Sequence, residues 1–402
     1  MKESARIQTA IELTDEIFAF RQPADNTVNV YFRMRRYIGG TDRRVISGLV
    51  WQVLRHYGRL SSLCAEKLTG RTAVMMMLFY QKRAVLPLFD GEKYAPAPLD
   101  EAEKRFLDRL PDQLPSAALE CPEWLKGKID TADIIAMTGE APLDLRVNTL
   151  KSDRRQVLDL LKQAGIQARE TPVAPNGIRI DERVNITSLP LYRDGLAEIQ
   201  DEGSQIVSLL TQAKAGQTVI DWCAGAGGKT LAMSAMMRAK GTVYAVDNDL
   251  KRMRDLPDRA CRAGANNVIL LNDYNNLKTY DLVLVDAPCT GTGTWRRSAD
   301  ARWRITPRQS AEIIKTQREI LDKACRFVKK GGRLFYITCS LDPAENEDQA
   351  RLFLQNHNDF KAENLSAVLE NLTGRKGTTE TIRLSPSVFH TDGFFAASFI
   401  RE

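Results

Sequence analysis

The sequence predicts an α/β protein in three regions, with a mainly parallel sheet in the last of them. Three observations predict it. From about residue 216 onward, short apolar runs alternate with helical stretches, the pattern of βαβ units. Residues 131–215 mix strand alternation with one well-capped helix, and residues 1–130 show helical periodicity with little β-branched alternation. A chain of 402 residues has room for two or three domains.

In the first region Ile7, Ala10, Ile11, Ile17 and Phe18 share one helical face, as do Ile46, Leu49, Val50, Val53, Leu54 and Tyr57 around Trp51. Tyr94-Ala95-Pro96-Ala97-Pro98 marks a loop between helices. In the second region Leu145, Val147 and Thr149 alternate as in a strand. Ser152 or Asp153 can cap a helix that carries Val157, Leu158 and Leu161 and ends before Gly165. Pro175-Asn176-Gly177 is a turn leading into Ile178-Arg179-Ile180. In the third region strands are expected at Thr218–Asp221, Thr242–Val246, Val268–Leu271, Leu282–Val285 and Arg333–Thr338, with a helix from about Pro307 to Val328. Pro257 falls inside the helix expected after Asp247 and predicts a kink or break there.

Composition excludes several classes. Hydrophobic residues make up 43% and charged residues 27%, so the chain folds rather than staying disordered. The longest apolar run, Ala73–Tyr80, is too short for a membrane span, and the start of the chain lacks a secretory pattern, so a cytoplasmic protein is expected. Seven scattered cysteines without a Cys-x-x-Cys pair, and three histidines far from them, point to neither a disulfide framework nor a metal centre. The net charge of +6 is compatible with a polyanionic partner without requiring one. The lack of a coiled coil or a large exposed apolar segment points to a monomer.

Asp221-Trp222-Cys223-Ala224-Gly225-Ala226-Gly227-Gly228-Lys229-Thr230 follows a strand and opens a helix. Small residues there let a ligand approach the backbone and the helix N–H groups. A P-loop needs glycine where Cys223 stands, and a dinucleotide fingerprint needs glycine where Thr230 stands. A nucleoside-cofactor loop of the methyltransferase type fits the rest; an ordinary strand-to-helix turn is the plainer alternative. Asp247, 19 residues after Gly228, is placed to accept from ribose hydroxyls, although a strand-end Asp is also a common helix cap. Asp273, after the next strand, can reach an adenine amino group or simply shape a turn. Asp286-Ala287-Pro288-Cys289-Thr290-Gly291-Thr292-Gly293 and Thr338-Cys339-Ser340 each follow a strand. Strand C-terminal ends line the ligand crevice of an open α/β sheet, so Cys289 and Cys339 can meet in one site. Cys64, Cys121, Cys261 and Cys325 read as ordinary structural cysteines, as does Cys223 for catalysis.

These motifs, with His390-Thr391-Asp392-Gly393-Phe394-Phe395 behind them, resemble the RsmB/NOL1/NOP2/Sun family of RNA cytosine-5 methyltransferases in content and order. Leu145-Arg146-Val147-Asn148-Thr149 and Gln200-Asp201-Glu202-Gly203-Ser204-Gln205 resemble the family's segments ahead of the catalytic domain. Arg35-Arg36-Tyr37-Ile38-Gly39-Gly40-Thr41-Asp42-Arg43-Arg44 resembles the NusB-like domain of its bacterial RsmB branch. Ala226 departs from a frequent proline and bears on loop stiffness. The resemblance implies an all-helical NusB-like RNA-binding domain (1–130), a small α+β, RRM-like domain (131–215) and a Rossmann-like class I methyltransferase domain (216–402).

It further implies S-adenosylmethionine as cofactor, held by residues 223–229 (Cys223, Ala224, Gly225, Ala226, Gly227, Gly228 and Lys229) with Asp247, Asp273 and Asp286. It implies Cys339 as the nucleophile on cytosine carbon 6, Asp286 on the cytosine edge, Lys229 as a catalytic group that contacts the cytosine or assists positioning, and Cys289 in release of the adduct, with no metal. Small-subunit ribosomal RNA is the substrate implied, with transfer RNA next. Amino-group methylation of a base fits less well, because Ala287-Pro288-Cys289 replaces the usual Pro-Pro-aromatic run. A non-enzymatic RNA-binding assembly factor is the remaining rival. Val30–Arg59 holds seven arginines against one acid, either a solvated face or an RNA contact. Arg296, Arg297, Arg302, Arg304 and Arg308, interleaved with Trp295 and Trp303, are expected to meet RNA phosphates and bases.

Overall fold

The computed structural model describes residues 1–402 apart from 183, 276 and 375–379. The described chain forms two compact units: residues 1–140 with 295–307, and residues 141–294 with 308–402.

The first unit is helical. Helices Glu3–Ile17, Gly40–Arg55 and Gly70–Tyr80 pack around one core, to which Ile7, Leu13, Val50, Leu54 and Val74 contribute. The two amphipathic faces expected there are buried, apart from half-buried Tyr57. Ala73–Leu78 is buried along its whole length, which explains why that helix is apolar all round. Residues 295–307 pack into this unit. Trp295 and Arg302 are each 1% exposed, and Arg302 lies over the Trp295 ring while donating to the carbonyls of Glu120 and Met137. Arg296 is buried, Arg304 pairs with Asp300 at 2.7 Å, and Trp303 packs on Tyr57. The RNA contact expected of this segment therefore fails for Trp295, Arg296 and Arg302, whose side chains are core of the helical unit.

The second unit holds two sheets. The smaller has β1 (Leu143–Val147), β2 (Arg169–Glu170), β3 (Gly177–Ile180) and β4 (Ala197–Ile199) in the antiparallel order β2-β3-β1-β4. Asp153 caps the helix Arg154–Gln163, accepting from the Gln156 N–H at 2.9 Å. The larger sheet follows the order β10-β12-β9-β8-β5-β6-β7. Its parallel part is β5 (Thr218–Asp221), β6 (Thr242–Ala245), β7 (Val268–Leu270), β8 (Tyr280–Asp286) and β9 (Val328–Thr338). The strands β10 (Phe360–Glu363), β11 (Ile382–Leu384) and β12 (Phe394–Arg401) add an antiparallel edge. Sheet order reverses between β5 and β8, which puts the ligand crevice at their C-terminal ends.

The α+β region is not a separate body from the larger sheet. Helix Glu202–Leu210 brings Ile206, Val207 and Leu210 into the same core as Leu282, Phe335 and Ile337. A buried ionic group ties it down further: Arg179 donates to Asp144 at 2.7 and 2.8 Å and to Glu202 at 3.2 Å. Arg146 donates to Gln200 at 2.6 Å, and Asn148 donates to the Gly195 and Ala263 carbonyls. The polar residues around the β1 and Gln200–Gln205 motifs thus form a joint between the sheets. The break expected at Pro257 is present: residues 250–255 form turns and the helix starts only at Leu256, with Pro257 in its first turn.

Candidate active site

The glycine loop is shaped by its neighbours. Gly225 and Gly227 have φ of 50° and 82°, in the left-handed region. A Cβ on Gly227 would come within 2.2 Å of Leu256, so glycine is required there on both grounds. Helix Gly228–Met236 starts directly after. Beside the loop lies a cavity of about 640 Å³, lined by Trp222, Cys223, Asp247, Tyr274, Pro288 and Phe327 among others, with Ile320 and Lys323 from helix Pro307–Ala324. The Trp222 ring packs on Tyr274 at 4.8 Å and on Phe327 at 5.4 Å, giving the cavity an aromatic wall. The sequence reading did not single out Tyr274, Phe327, Ile320 or Lys323. They lie on three separate segments and carry no motif.

Asp247 is buried, and its carboxylate accepts from the Gly225 N–H (2.9 Å), the Asp249 N–H (2.9 Å) and the Arg252 guanidinium (3.2 Å). A carboxylate has about four lone-pair sites, and Arg252 is largely exposed and displaceable. Asp273 is exposed, accepts from the Asn275 N–H at 2.8 Å and is not part of the cavity wall. Burial pushes the Cys223 thiol well up, in keeping with its non-catalytic reading.

Asp221 ends β5 fully buried. One oxygen accepts from Thr230 Oγ1 at 2.7 Å and the other has no hydrogen-bond partner. Burial raises its pKa to about 7. A carboxyl raised on folding binds its proton more tightly in the folded chain. Its stabilising contribution is therefore full below about pH 4 and falls as pH rises to about 7. Asp221→Asn removes that loss. The melting-temperature difference, variant minus wild type, should grow across this window and level off above it; a difference independent of pH would refute the assignment.

The second cluster stands at the ends of β8 and β9. Cys289 and Cys339 sulfurs lie 3.3 Å apart. The hydrogen bond with Cys339, then burial, raises the Cys289 pKa well above the usual thiol range. Lys229 donates to Asp286 at 2.7 Å and stands over the Phe394 ring at 5.4 Å. Burial alone lowers the Lys229 pKa, but the charge and hydrogen bond of Asp286 outweigh it, with a further contribution from Cys339, so the ammonium is retained. Four residues from three distant motifs are thereby brought together.

Glu345 joins the two cysteine loops. It is fully buried and accepts from the Thr290 N–H (2.9 Å), the Thr290 and Ser340 hydroxyls, and Gln317 Nε2 (2.9 Å), which also donates to the Pro288 carbonyl. Thr290 adjoins Cys289 and Ser340 adjoins Cys339, so one carboxylate fixes both. The Gly293 N–H donates to the Cys339 carbonyl at 2.9 Å, and the Gly393 N–H donates to the Gly293 carbonyl at 2.8 Å. A Cβ on Gly293 would lie 2.3 Å from the Gly393 carbonyl oxygen, so the late motif packs backbone to backbone against the Cys289 loop. Among the described residues no group of three or more His, Cys, Asp or Glu side chains could hold a metal, and no helix is long and apolar enough to cross a membrane.

A family model described as 16S rRNA methyltransferase RsmB/F matches residues 208–400, and a ferredoxin-like domain model of RsmF/B-like methyltransferases matches 130–187. A probable ribosomal RNA small subunit methyltransferase B of Synechocystis sp. is 33% identical over 315 residues, covering 74% of this chain and 70% of its own. The chain belongs to the RsmB/F family of rRNA methyltransferases. The similarly named Bacillus subtilis protein is 31% identical, covering 73% and 70%. A solved methyltransferase homologue from Pyrococcus horikoshii is 32% identical with a TM-score of 0.58, covering 74% of this RsmB/F chain and 95% of that one. NSun6 from the same organism, at 19% identity and a TM-score of 0.61, covers 70% and 97% and shares the fold.

Proposed function

We propose that the chain methylates carbon 5 of a cytosine in small-subunit ribosomal RNA, using S-adenosylmethionine and a transient bond between Cys339 and carbon 6. The observation that carries this reading is the pair of sulfurs 3.3 Å apart beside the Lys229–Asp286 ion pair. Two thiols so placed serve an addition followed by an elimination.

The cavity suits the cofactor. Its volume lies in the range of small-molecule sites. Trp222, Tyr274 and Phe327 would flank a base, Asp247 a ribose, and the Gly225–Gly228 backbone the remainder. S-adenosylmethionine, when bound, supplies an electrophilic methyl group. Cytosine carbon 5 is a poor nucleophile until a thiolate adds to carbon 6 and makes it enamine-like. Cys339 makes that addition. Asp286 Oδ2 is held by Lys229, which leaves Oδ1 for the cytosine edge, where it stabilises the proton that the Cys339 thiol gives up on addition and the ring nitrogen takes up. After methyl transfer the proton on carbon 5 must leave and the Cys339 bond must break. Cys289, held as a thiol 3.3 Å from the departing sulfur, gives its proton to Cys339, and the Cys289 thiolate so formed takes the proton that leaves carbon 5, so both cysteines end as thiols.

Glu345 is assigned as a positioning residue. Glu345→Gln is expected to lower kcat about 100-fold, the scale of an approximately 1 Å misplacement, with KM for RNA within about twofold. A normal kcat, or a change confined to KM, would exclude this role.

The test of the function itself is to incubate the protein with labelled S-adenosylmethionine and RNA from a strain lacking its gene, then identify the labelled nucleoside in each RNA size class. Label in 5-methylcytidine from small-subunit RNA is expected. Label in transfer RNA overturns the substrate, and no label in any fraction favours the RNA-binding assembly factor.

A further inference from the structure

One side chain outside the cavity wall reaches the backbone of the glycine loop. Arg259, on helix Leu256–Ala263, donates through Nη1 to the Ala226 carbonyl. Its Nε and Nη2 both donate to Glu198 Oε2, at 3.2 and 2.7 Å. Glu198 lies on β4, opposite Arg146 of β1, and is 1% exposed. Its other oxygen accepts from Arg262 of the same helix. A carboxylate so far out of water needs paired donors, and the two guanidiniums supply them. Arg262 spends its charge on Glu198 and on the Tyr192 ring at 4.3 Å, whereas Arg259 spends its remaining nitrogen on the loop.

The helix that carries Arg259 is itself fixed to the smaller sheet. Its last carbonyls, of Arg262 and Ala263, accept from Lys151 Nζ and Asn148 Nδ2, both at 2.7 Å. At its other end Leu256 fills the space that a Cβ on Gly227 would take. Helix Leu256–Ala263 is thus a strut between β1, β4 and the loop.

Ala226 needs such a hold. It stands between Gly225 and Gly227, both in the left-handed region, and glycine neighbours leave the backbone its widest freedom. Asp247 fixes the loop on one side through the Gly225 N–H at 2.9 Å. The Ala226–Gly227 peptide is fixed at both of its polar groups, by Arg259 on the carbonyl and by the Ala224 carbonyl on the N–H at 2.8 Å. A trans peptide points these two groups in opposite directions, so Arg259 sets how the loop backbone is turned.

We propose that Arg259, anchored by Glu198, is a positioning residue that holds the glycine loop in its cofactor-binding shape. The proposal rests on the reading that residues 223–229 hold S-adenosylmethionine, and it makes the smaller sheet the support of that loop.

The test is calorimetry of the full chain with S-adenosylmethionine, without RNA, well below each variant's melting temperature. Wild type is compared with Arg259→Gln, Arg262→Gln, Asp247→Ala and the double variant Arg259→Gln/Ala226→Pro. In Arg259→Gln the buried Glu198 keeps Arg262 as its partner. Kd should rise about tenfold, the scale of one hydrogen bond to a charged group. KM for the cofactor should rise alike, with kcat at saturating cofactor within about twofold. Arg262→Gln removes the other half of the Glu198 pairing without touching Ala226, and should keep Kd within about twofold of wild type. Ala226→Pro fixes φ at that position, and among the described residues the Ala226 N–H donates no backbone hydrogen bond that it would remove. It should return the Arg259→Gln chain to within about threefold of wild type by replacing the lost restraint. Equal weakening by Arg262→Gln, or weakening that Ala226→Pro leaves unrepaired, makes the pair a packing contact and overturns the proposal. Normal binding by Arg259→Gln also overturns it. Asp247→Ala then separates the two readings: weak binding by that variant keeps the cofactor loop, and normal binding removes it as well.

Discussion

Cys339→Ala is expected to reduce methyl transfer by about 10⁴-fold or more, in line with removal of a covalent nucleophile. No other group in the cluster can replace it. Cys289 is its neighbour at 3.3 Å, but burial keeps raising its pKa after the Cys339 partner is gone. Lys229 is held as an ammonium by Asp286 and carries no free electron pair. Cys339 is not part of the wall of the 640 Å³ cavity, so cofactor affinity, read by calorimetry, should stay within about twofold of wild type. A variant that keeps more than about a hundredth of the activity would sink the covalent route and leave direct attack by carbon 5 as the only course.

Cys289→Ala is expected to convert most of the protein into a covalent complex with RNA when S-adenosylmethionine is present. Addition and methyl transfer need Cys339, Asp286 and the cofactor loop, all of which remain. Elimination loses the thiol beside the leaving sulfur, and the other two charged groups assigned to the site are engaged elsewhere: Lys229 holds Asp286 Oδ2 at 2.7 Å, and Asp286 Oδ1 is assigned to the cytosine edge. The complex should survive a denaturing gel, release RNA under ribonuclease, and be missing from Cys289→Ala/Cys339→Ala. Normal turnover by the single variant without a trapped species would show that the two cysteines do not divide the steps in this way.

The parts of this site that could be read in the sequence are those whose chemistry is local. The glycine loop announces itself because Gly225 and Gly227 take backbone angles other residues resist, and Cys289 and Cys339 because each directly follows a strand. Glu345 gave no signal. Its four hydrogen bonds come from Thr290, Ser340 and Gln317, and nothing in its own surroundings in sequence points to them. The RNA contact expected of Trp295, Arg296 and Arg302 fails because arginines among tryptophans have the same composition whether they face RNA or a core. Burial of Arg302 under two carbonyls and over Trp295 is a tertiary fact. Pro257 shows the reverse case: the residue was read correctly as incompatible with a helix interior, and the helix simply begins one residue before it.

The contact between Gly293 and Gly393 has a consequence for synthesis. Strand β12 pairs with β9 immediately after Gly393, with Phe395 opposite Thr338, and Phe394 stands under Lys229. Every side chain assigned to the chemistry is therefore made by the ribosome before the strand that seats it. A chain that stops short of Gly393 would carry every residue assigned to the chemistry and lack both the Gly393–Gly293 hydrogen bond and the β12 pairing with β9.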